Sequence, residues 1–168
     1  MCVQCNFSGP IPSKFGYHRS NNNNMKNNIN FTFREEIPES SKYHQLFETT
    51  GWNKGYEAEK NELHKSVSNS WYTLCVYNNE NELIGFGRLI SDGVLYAFIC
   101  DMIIDPDYQN QGIGGSILKK LIQHCKIEKI RVLWLFSAAD KSNFYKKHRF
   151  GERPSNAPGM QLELNIKC

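Results

Sequence analysis

The sequence predicts an α/β fold of the α+β type: a mixed central β-sheet of about six to seven strands with helices on both faces. Two observations carry that expectation. Apolar runs of strand length and runs of helical spacing follow one another in the order βααβββαβαβ. Three successive strands joined by polar turns make antiparallel hairpins, and a later strand–helix–strand step makes a parallel crossover. The chain has 168 residues, which fits one domain around one core.

Each element has its own signal. FTFRE (31–35) alternates as a strand does, and Pro38 ends it. ESSKYHQLFETTG (39–51) is a helix with serines at its start and Gly51 past its end. YEAEKNELHKSVSNS (56–70) is a second, more polar helix. WYTLCVYN (71–78), the turn NNEN and LIGFGRLI (83–90) form a hairpin. SDG turns the chain into VLYAFICDMII (94–104), an apolar run suited to a central strand. Helix 112–125 carries an apolar stripe through Ile117, Leu118, Leu121, Ile122 and Cys125. IRVLWLFSA (130–138) is a buried strand, expected to lie parallel to 94–104. ADKSNFYKKHRF (139–150) is a short helix closed by Gly151, and GMQLELNI (159–166) is a last strand.

Composition narrows the function. Hydrophobic residues make up 40% and charged residues 22%, ordinary for a globular protein. No apolar run nears the roughly 20 residues of a membrane span. The N-terminus lacks the apolar core of a signal peptide, so the expected compartment is the cytosol and no membrane partner is expected. Residues 1–30 hold Lys14, Arg19 and Lys26, no acid, and seven asparagines between 21 and 30. They read as a disordered extension, with the folded domain at 31–168. Those three cations equal the net charge of +3, so the body is neutral and nucleic acid is not an expected partner. Of six cysteines, Cys2 and Cys5 form a CxxC. No second pair follows at matching spacing, so no metal site is expected and the thiols read as reduced.

YQNQGIGGSILKKL (108–121) packs three glycines into four positions just before a helix. Glycine costs about 0.5–1 kcal/mol in regular structure, so bare backbone there calls for a reason. A strand, a glycine-rich turn and a helix start make an anion site, because the first helical N–H groups are unpaired and carry partial positive charge. The phosphate loop GxxxxGK[ST] is excluded, since no Lys-Ser or Lys-Thr follows. The dinucleotide loop is poor too, because Ile117 stands at the third glycine position and Ser137-Ala138-Ala139 where an acid belongs. Gln109-Asn110-Gln111-Gly112-Ile113-Gly114 fits the pyrophosphate loop Q/RxxGxG/A at every fixed position.

With that loop, the chain resembles the GNAT superfamily of N-acetyltransferases over about residues 31–168. DMIIDPDYQNQGIGGSILKKL resembles its acetyl-CoA motif, and NFYKKHRFG (143–151) its later FYxxxGF motif, with Arg149-Phe150 where Gly-Phe is usual. The resemblance implies the GNAT fold, in which strands 94–104 and 130–138 splay apart at one end to admit the pantetheine arm of acetyl-CoA. It implies acetyl-CoA as co-substrate and no metal.

The resemblance also implies site residues. Tyr145 aligns with the tyrosine that protonates the leaving thiolate; otherwise it packs the short helix. The backbone of Met102, Ile103 and Ile104 is to carry the oxyanion donor and the pantetheine pairing. Gln109, Asn110, Gln111, Gly112, Ile113, Gly114 and Gly115 are to wrap the pyrophosphate. Asn143 is assigned to the cofactor, although the asparagine usual seven residues before the tyrosine is Ala138 here. Lys119, Lys120, Lys146 and Lys147 are candidates for the 3′-phosphate.

The chemistry needs more than binding. An alkylamine of pKa about 10.4 is mostly ammonium near pH 7, and freeing it costs roughly 4–5 kcal/mol. Asp101 either accepts that proton, directly or through water, or holds the ammonium, or fixes backbone at a bulge. His44 and His64, on the helices that cover the acceptor, either relay a proton or are surface residues. Trp52, Tyr56, Trp71, Tyr72 and Tyr96 frame the acceptor or fill core. RPSNAPGM (153–160) reads as a lid, which favours a small acceptor over a peptide. No cysteine sits in the motif as an acetyl carrier, and Cys100 points away from Asp101's face in a regular strand. The expected function is therefore direct acetyl transfer from acetyl-CoA to a primary amine of a small molecule in a ternary complex. The alternatives are a protein or peptide N-acetyltransferase and a non-catalytic acetyl-CoA sensor on the same fold. Members of the family are often dimers, which leaves a homodimer open, and no interface patch is legible in the sequence.

Overall fold

The computed structural model describes residues 30–162 and residue 164. The expectations for residues 1–29, including the CxxC, lie outside the described residues. The chain forms two compact units, a larger one that ends at Leu135 and a smaller one that begins at Phe136.

The larger unit is built on a five-stranded sheet: β1 (Thr32–Arg34), β2 (Tyr72–Tyr77), β3 (Leu83–Ser91), β4 (Tyr96–Ile104) and β5 (Val132–Leu135), in that spatial order. Strands β1 to β4 pair antiparallel; short polar turns dictate this for β2–β3 and β3–β4, whereas β1 reaches β2 through the helical stretch 40–68. Strand β5 pairs parallel to β4, as the crossover through helix α4 (Ile113–Ile127) requires.

Helices cover both faces. Helix α1 (Ser40–Glu48) and helix α3 (Lys60–Ser68) bury Tyr43, Leu46, Phe47, Leu63 and Val67 against Cys75, Tyr77, Leu83, Phe86 and Ile103. Helix α4 buries Ile113, Ile117, Leu118, Leu121 and Cys125 on the opposite face. Its close approach depends on bare backbone in β3. A Cβ on Gly87 would stand 2.8 Å from Ile117 Cγ2, and one on Gly85 3.3 Å from Ile113 Cγ2.

The helix expected over 56–70 divides. A short helix, α2 (Asn53–Tyr56), ends where Glu57 turns left-handed at φ +51°. The Asn53 side chain fixes the break: its Nδ2 donates to the Ala58 carbonyl at 3.2 Å, and its Oδ1 accepts from the Ala58 N–H at 3.0 Å. Helix α3 then starts on its own cap, with the Glu59 N–H donating to Glu62 Oε2 at 2.9 Å.

In the smaller unit, helix α5 spans Ser142–Lys147, inside the expected 139–150. The last expected strand, 159–166, is not formed among its described residues, so the described sheet has five strands rather than six to seven. Met160, Leu162 and Leu164 alternate but are exposed. Alternation defines two faces, but a strand needs a neighbour to pair with. Among the described residues, no helix is long and apolar enough to cross a membrane.

Candidate active site

Strand β4 is interrupted at Asp101. Its register against β3 runs Phe86↔Ile103 and then Arg88↔Cys100, so Asp101 and Met102 together oppose Gly87. This is a β-bulge, and Asp101 takes the left-handed conformation, φ +46°. That conformation costs a non-glycine residue about 1–2 kcal/mol. The Asp101 carboxylate is held on two sides. Arg88 Nε donates to Oδ2 at 2.5 Å, and the Tyr43 hydroxyl donates to the same oxygen at 3.2 Å. Arg88 also donates from its NH1 nitrogen to the Ser66 carbonyl at 2.9 Å and to Ser70 Oγ at 3.3 Å.

The bulge resets the alternation of β4. Cys100 pairs in register with Arg88 and so falls on the face where Arg88 meets Asp101. The regular strand assumed for Cys100 is not what forms.

The bulge follows directly on the end of the β4–β5 ladder. Parallel pairing runs from Tyr96↔Val132 to Ile99↔Leu135. Among the described residues, β4 beyond Ile99 has strand β3 as its neighbour but no paired strand on the other side. The ladder ends within the stretch where the splay is expected. Met102, Ile103 and Ile104 lie along it. Ile103 is buried in the α1–α3 core, and Met102 lies on the α4 side near Gly87.

The chain then enters the glycine loop through Pro106–Tyr108, one turn of 3₁₀-helix. Four hydrogen bonds set its path. The Asp105 N–H donates to the Ile84 carbonyl at 2.9 Å, and Asp105 Oδ1 accepts from the Asp107 N–H at 3.0 Å. Gln109 Nε2 donates to the Ile104 carbonyl at 3.1 Å, and Gln111 Nε2 to the Asp107 carbonyl at 3.3 Å. Asn110 (φ +62°) and Gly112 (φ +84°) are both left-handed. Gln109–Gly112 are exposed, and a Cβ on Gly112 would meet nothing within 4 Å. Gly112 is the N-cap of α4, and the first turn of that helix carries no acid. With no acid in that turn, the N-terminus of α4 suits an anion. Lys119 and Lys120 are exposed one to two turns on, with Lys120 Nζ 5.1 Å from the centre of the Phe33 ring.

The smaller unit carries Tyr145 and Asn143, both on α5. Tyr145 is 8% exposed, and burial pushes its phenol above the ordinary tyrosine value. Phe144 and Phe150 pack against its ring with centroids at 5.0 and 6.0 Å. Asn143 is exposed. Lys146 Nζ sits 2.7 Å from Glu152 Oε1, and Lys147 is exposed. In the 153–160 segment, Arg153 Nε donates to the Ala157 carbonyl at 2.7 Å.

The remaining candidates disperse. His44 faces Glu48 at 3.6 Å on the outer side of α1, and His64 is half-buried on α3. Trp52 packs on Phe47 at the edge of the α1–α3 core, and Tyr56 is exposed. Trp71 and Tyr72 both reach His124 of α4, at 4.9 and 3.7 Å between ring centroids. They lie on the α4 face, opposite Asp101. Tyr96 stacks on Trp134 at 5.0 Å. Among the described residues, no cluster of three or more His, Cys, Asp or Glu could hold a metal ion.

Sequence reasoning passed over Arg88, Tyr43, Asn78 and the role of Tyr108. Asn78 is 6% exposed in the β2–β3 turn, and its Nδ2 donates to the Tyr108 hydroxyl at 3.0 Å. One signal for Arg88 was present: LIGFGRLI and VLYAFICDMII each hold one charged residue, of opposite sign, in an otherwise uncharged run.

A family model described as the acetyltransferase (GNAT) family matches residues 35–150. The chain is similar to a protein of Gracilaria tenuistipitata var. liui named uncharacterized N-acetyltransferase ycf52. The two are 35% identical over 98 residues, 56% of this chain and 54% of that one. It is also similar to a Glycine max protein named histone acetyltransferase TAP1, 35% identical over 83 residues, 49% of this chain and 36% of that one. The matched region thus spans about half or less of these relatives. Among solved structures, a GNAT family acetyltransferase from Streptococcus pneumoniae TIGR4 superposes with a TM-score of 0.66 at 22% identity, covering 82% of this chain and 99% of that one.

Proposed function

Because this chain belongs to the GNAT family of acetyltransferases, we propose that it transfers the acetyl group of acetyl-CoA to a primary amine of a small-molecule acceptor, by direct attack in a ternary complex. One observation carries the reading. A strand that loses its parallel partner after Ile99 and ends at Ile104 leads to an open glycine loop whose Gly112 caps a helix N-terminus. Unpaired strand backbone suits the amides of pantetheine, and the loop suits a pyrophosphate.

The roles are those that the family motifs imply. Backbone N–H groups of Ile113, Gly114 and Gly115, with the loop from Gln109 to Gly112, hold the pyrophosphate. The backbone of Met102–Ile104 pairs with pantetheine and donates to the oxyanion. Tyr145 gives its proton to the CoA thiolate as the carbon–sulfur bond breaks, a proton that a phenol carries at neutral pH. The bonds from Arg88 and Tyr43 to Asp101 Oδ2 favour a structural role for Asp101. The amine's proton then leaves through water.

A protein or peptide acceptor is the second reading. It is favoured by the name of the Glycine max relative, which specifies a histone. Thermal melting with acetyl-CoA, followed by thiol release with arylalkylamines, polyamines, aminoglycosides, amino acids and lysine peptides, separates the cases. At 100 times Kd, acetyl-CoA adds about 2.7 kcal/mol of stability. A raised melting temperature with thiol release on small amines supports the proposal. Release on peptides alone moves the function to the second reading, and binding without release on any acceptor makes the chain a sensor. No shift at high acetyl-CoA overturns the proposal.

A further inference from the structure

We propose that Arg88 is a positioning residue for acetyl transfer. Acting through Asp101, it holds the β4 bulge at the angle from which the backbone of Met102–Ile104 reaches the thioester carbonyl. This rests on the acetyl-CoA reading above.

Arg88 is 7% exposed on β3, where the neighbouring positions of the strand are apolar or glycine. A buried cation is retained only with full pairing, and here its donors reach Asp101, Ser66 and Ser70 among others. One goes to Asp101 on the bulge, and two go to Ser66 and Ser70 at the end of α3. Tyr43 of α1 closes the network on Asp101 Oδ2. The bulge is thus clamped to both helices of that face. The clamp acts just past the last residue of β4 that pairs with β5. A left-handed aspartate in mid-strand persists only when its surroundings over-determine it, and such positions concentrate at functional sites. The planar fork of arginine reaches several acceptors at once, whereas a lysine ammonium is a point charge on a flexible stem.

The test reads the carbonyl directly and needs no acceptor. Full-length wild type, Arg88→Lys, and the double variant Arg88→Met with Asp101→Asn are saturated with acetyl-CoA labelled with ¹³C at the carbonyl carbon. The carbonyl stretch of each complex is recorded by isotope-edited infrared spectroscopy, with the dissociation constant measured alongside. The double variant removes both buried charges together, so it keeps a foldable core even if a single charge deletion does not. Wild type should show the band shifted to lower frequency than free acetyl-CoA. Both variants should return it to the free position while the dissociation constant changes by less than about threefold. With an amine that the wild type accepts, the variants should lose about 100-fold in kcat, the usual effect of losing an oxyanion donor. Variants that keep the wild-type band show that the bulge holds without Arg88 and overturn the proposal. A wild type that binds no acetyl-CoA instead overturns the acetyl-CoA reading, and this proposal with it.

Discussion

The Asn78 side-chain amide donates to the Tyr108 hydroxyl at 3.0 Å, tying the β2–β3 turn to the lead-in of the glycine loop. The amide is fully engaged. Its oxygen accepts from the Glu82 N–H at 2.8 Å, and its nitrogen also donates to Glu82 Oε2 at 2.8 Å. Tyr108→Phe keeps the ring and leaves one buried Asn78 N–H unpaired, which costs about 1–3 kcal/mol. Part of that cost falls on the order of the loop. KM for acetyl-CoA should rise about three- to tenfold while kcat at saturation stays unchanged. Steady-state kinetics over acetyl-CoA concentration check this, and an unchanged KM would mean the loop keeps its shape without the bond.

Gly112 offers a second test of the loop. Asparagine and aspartate have the same shape and both tolerate φ +84° better than other side chains. Gly112→Asn therefore measures strain and bulk, and Gly112→Asp adds one negative charge. At an exposed site that charge opposes a pyrophosphate by about 1–3 kcal/mol. Isothermal titration with acetyl-CoA should find Gly112→Asp at least tenfold weaker than Gly112→Asn at low salt, with the gap narrowing as salt is added. Equal affinities would separate the loop from the phosphates.

Gly87 tests packing rather than chemistry. An added Cβ would lie 2.8 Å from Ile117 Cγ2 and 3.2 Å from Leu121 Cδ1, both fully buried. Helix α4 must move, and overpacking of this kind costs about 1–3 kcal/mol. Urea unfolding of Gly87→Ala should show a lower midpoint at unchanged slope. Gly112→Ala meets nothing within 4 Å and should lose only the roughly 1 kcal/mol of a left-handed residue.

Tyr145→Phe should lower kcat about 10²- to 10⁴-fold, the usual worth of a general acid, while leaving the acetyl-CoA dissociation constant nearly unchanged. Its pH behaviour has a definite sign. Burial raises the folded pKa, so the phenol is protonated in folded and unfolded chains alike below about pH 10. Above that the unfolded chain ionises first, and stability falls as pH rises toward the folded value. The wild-type rate should show no alkaline loss from Tyr145 below pH 10. Melting temperatures above pH 10 should fall more steeply for wild type than for Tyr145→Phe.

Much of this was legible in the chain because it depends on local chemistry. The glycines of 112–115 marked a helix start whatever lay around them, and the crossover step fixed β4 parallel to β5. Other features depend on neighbours distant in sequence. Alternation in VLYAFICDMII cannot show that Asp101 drops out of register, because a bulge is a relation between two strands. Nothing in LIGFGRLI marks Gly85 and Gly87 as the positions where α4 sits close. Trp71 and Tyr72 looked like acceptor residues by type, but the strand register turns Tyr72 to His124, and Trp71, just before the strand, reaches the same ring. The last strand failed for the same reason: Met160, Leu162 and Leu164 alternate without a described strand beside them.

The buried thiols give a prediction that also protects the activity assay. Cys75 and Cys125 are buried, and burial pushes their thiols up to about 12 and about 11. At pH 8 roughly one in a thousand or fewer is thiolate, the reactive form. Cys100 is 3% exposed. A disulfide reagent that reports CoA release should therefore leave all three unmodified in the native protein, as peptide mass mapping after brief labelling would show. In urea all three should react within the same time. The raised values also set a stability window. Below about pH 9 these thiols are protonated in both states and their titration leaves stability unchanged. Above it the unfolded chain loses protons first, so stability declines from about pH 9 toward 11–12. Replacing Cys125 by alanine should flatten that decline in urea midpoints measured at pH 8 and pH 10. Rapid native labelling of Cys75 or Cys125 would mean that the sheet–helix interfaces open readily.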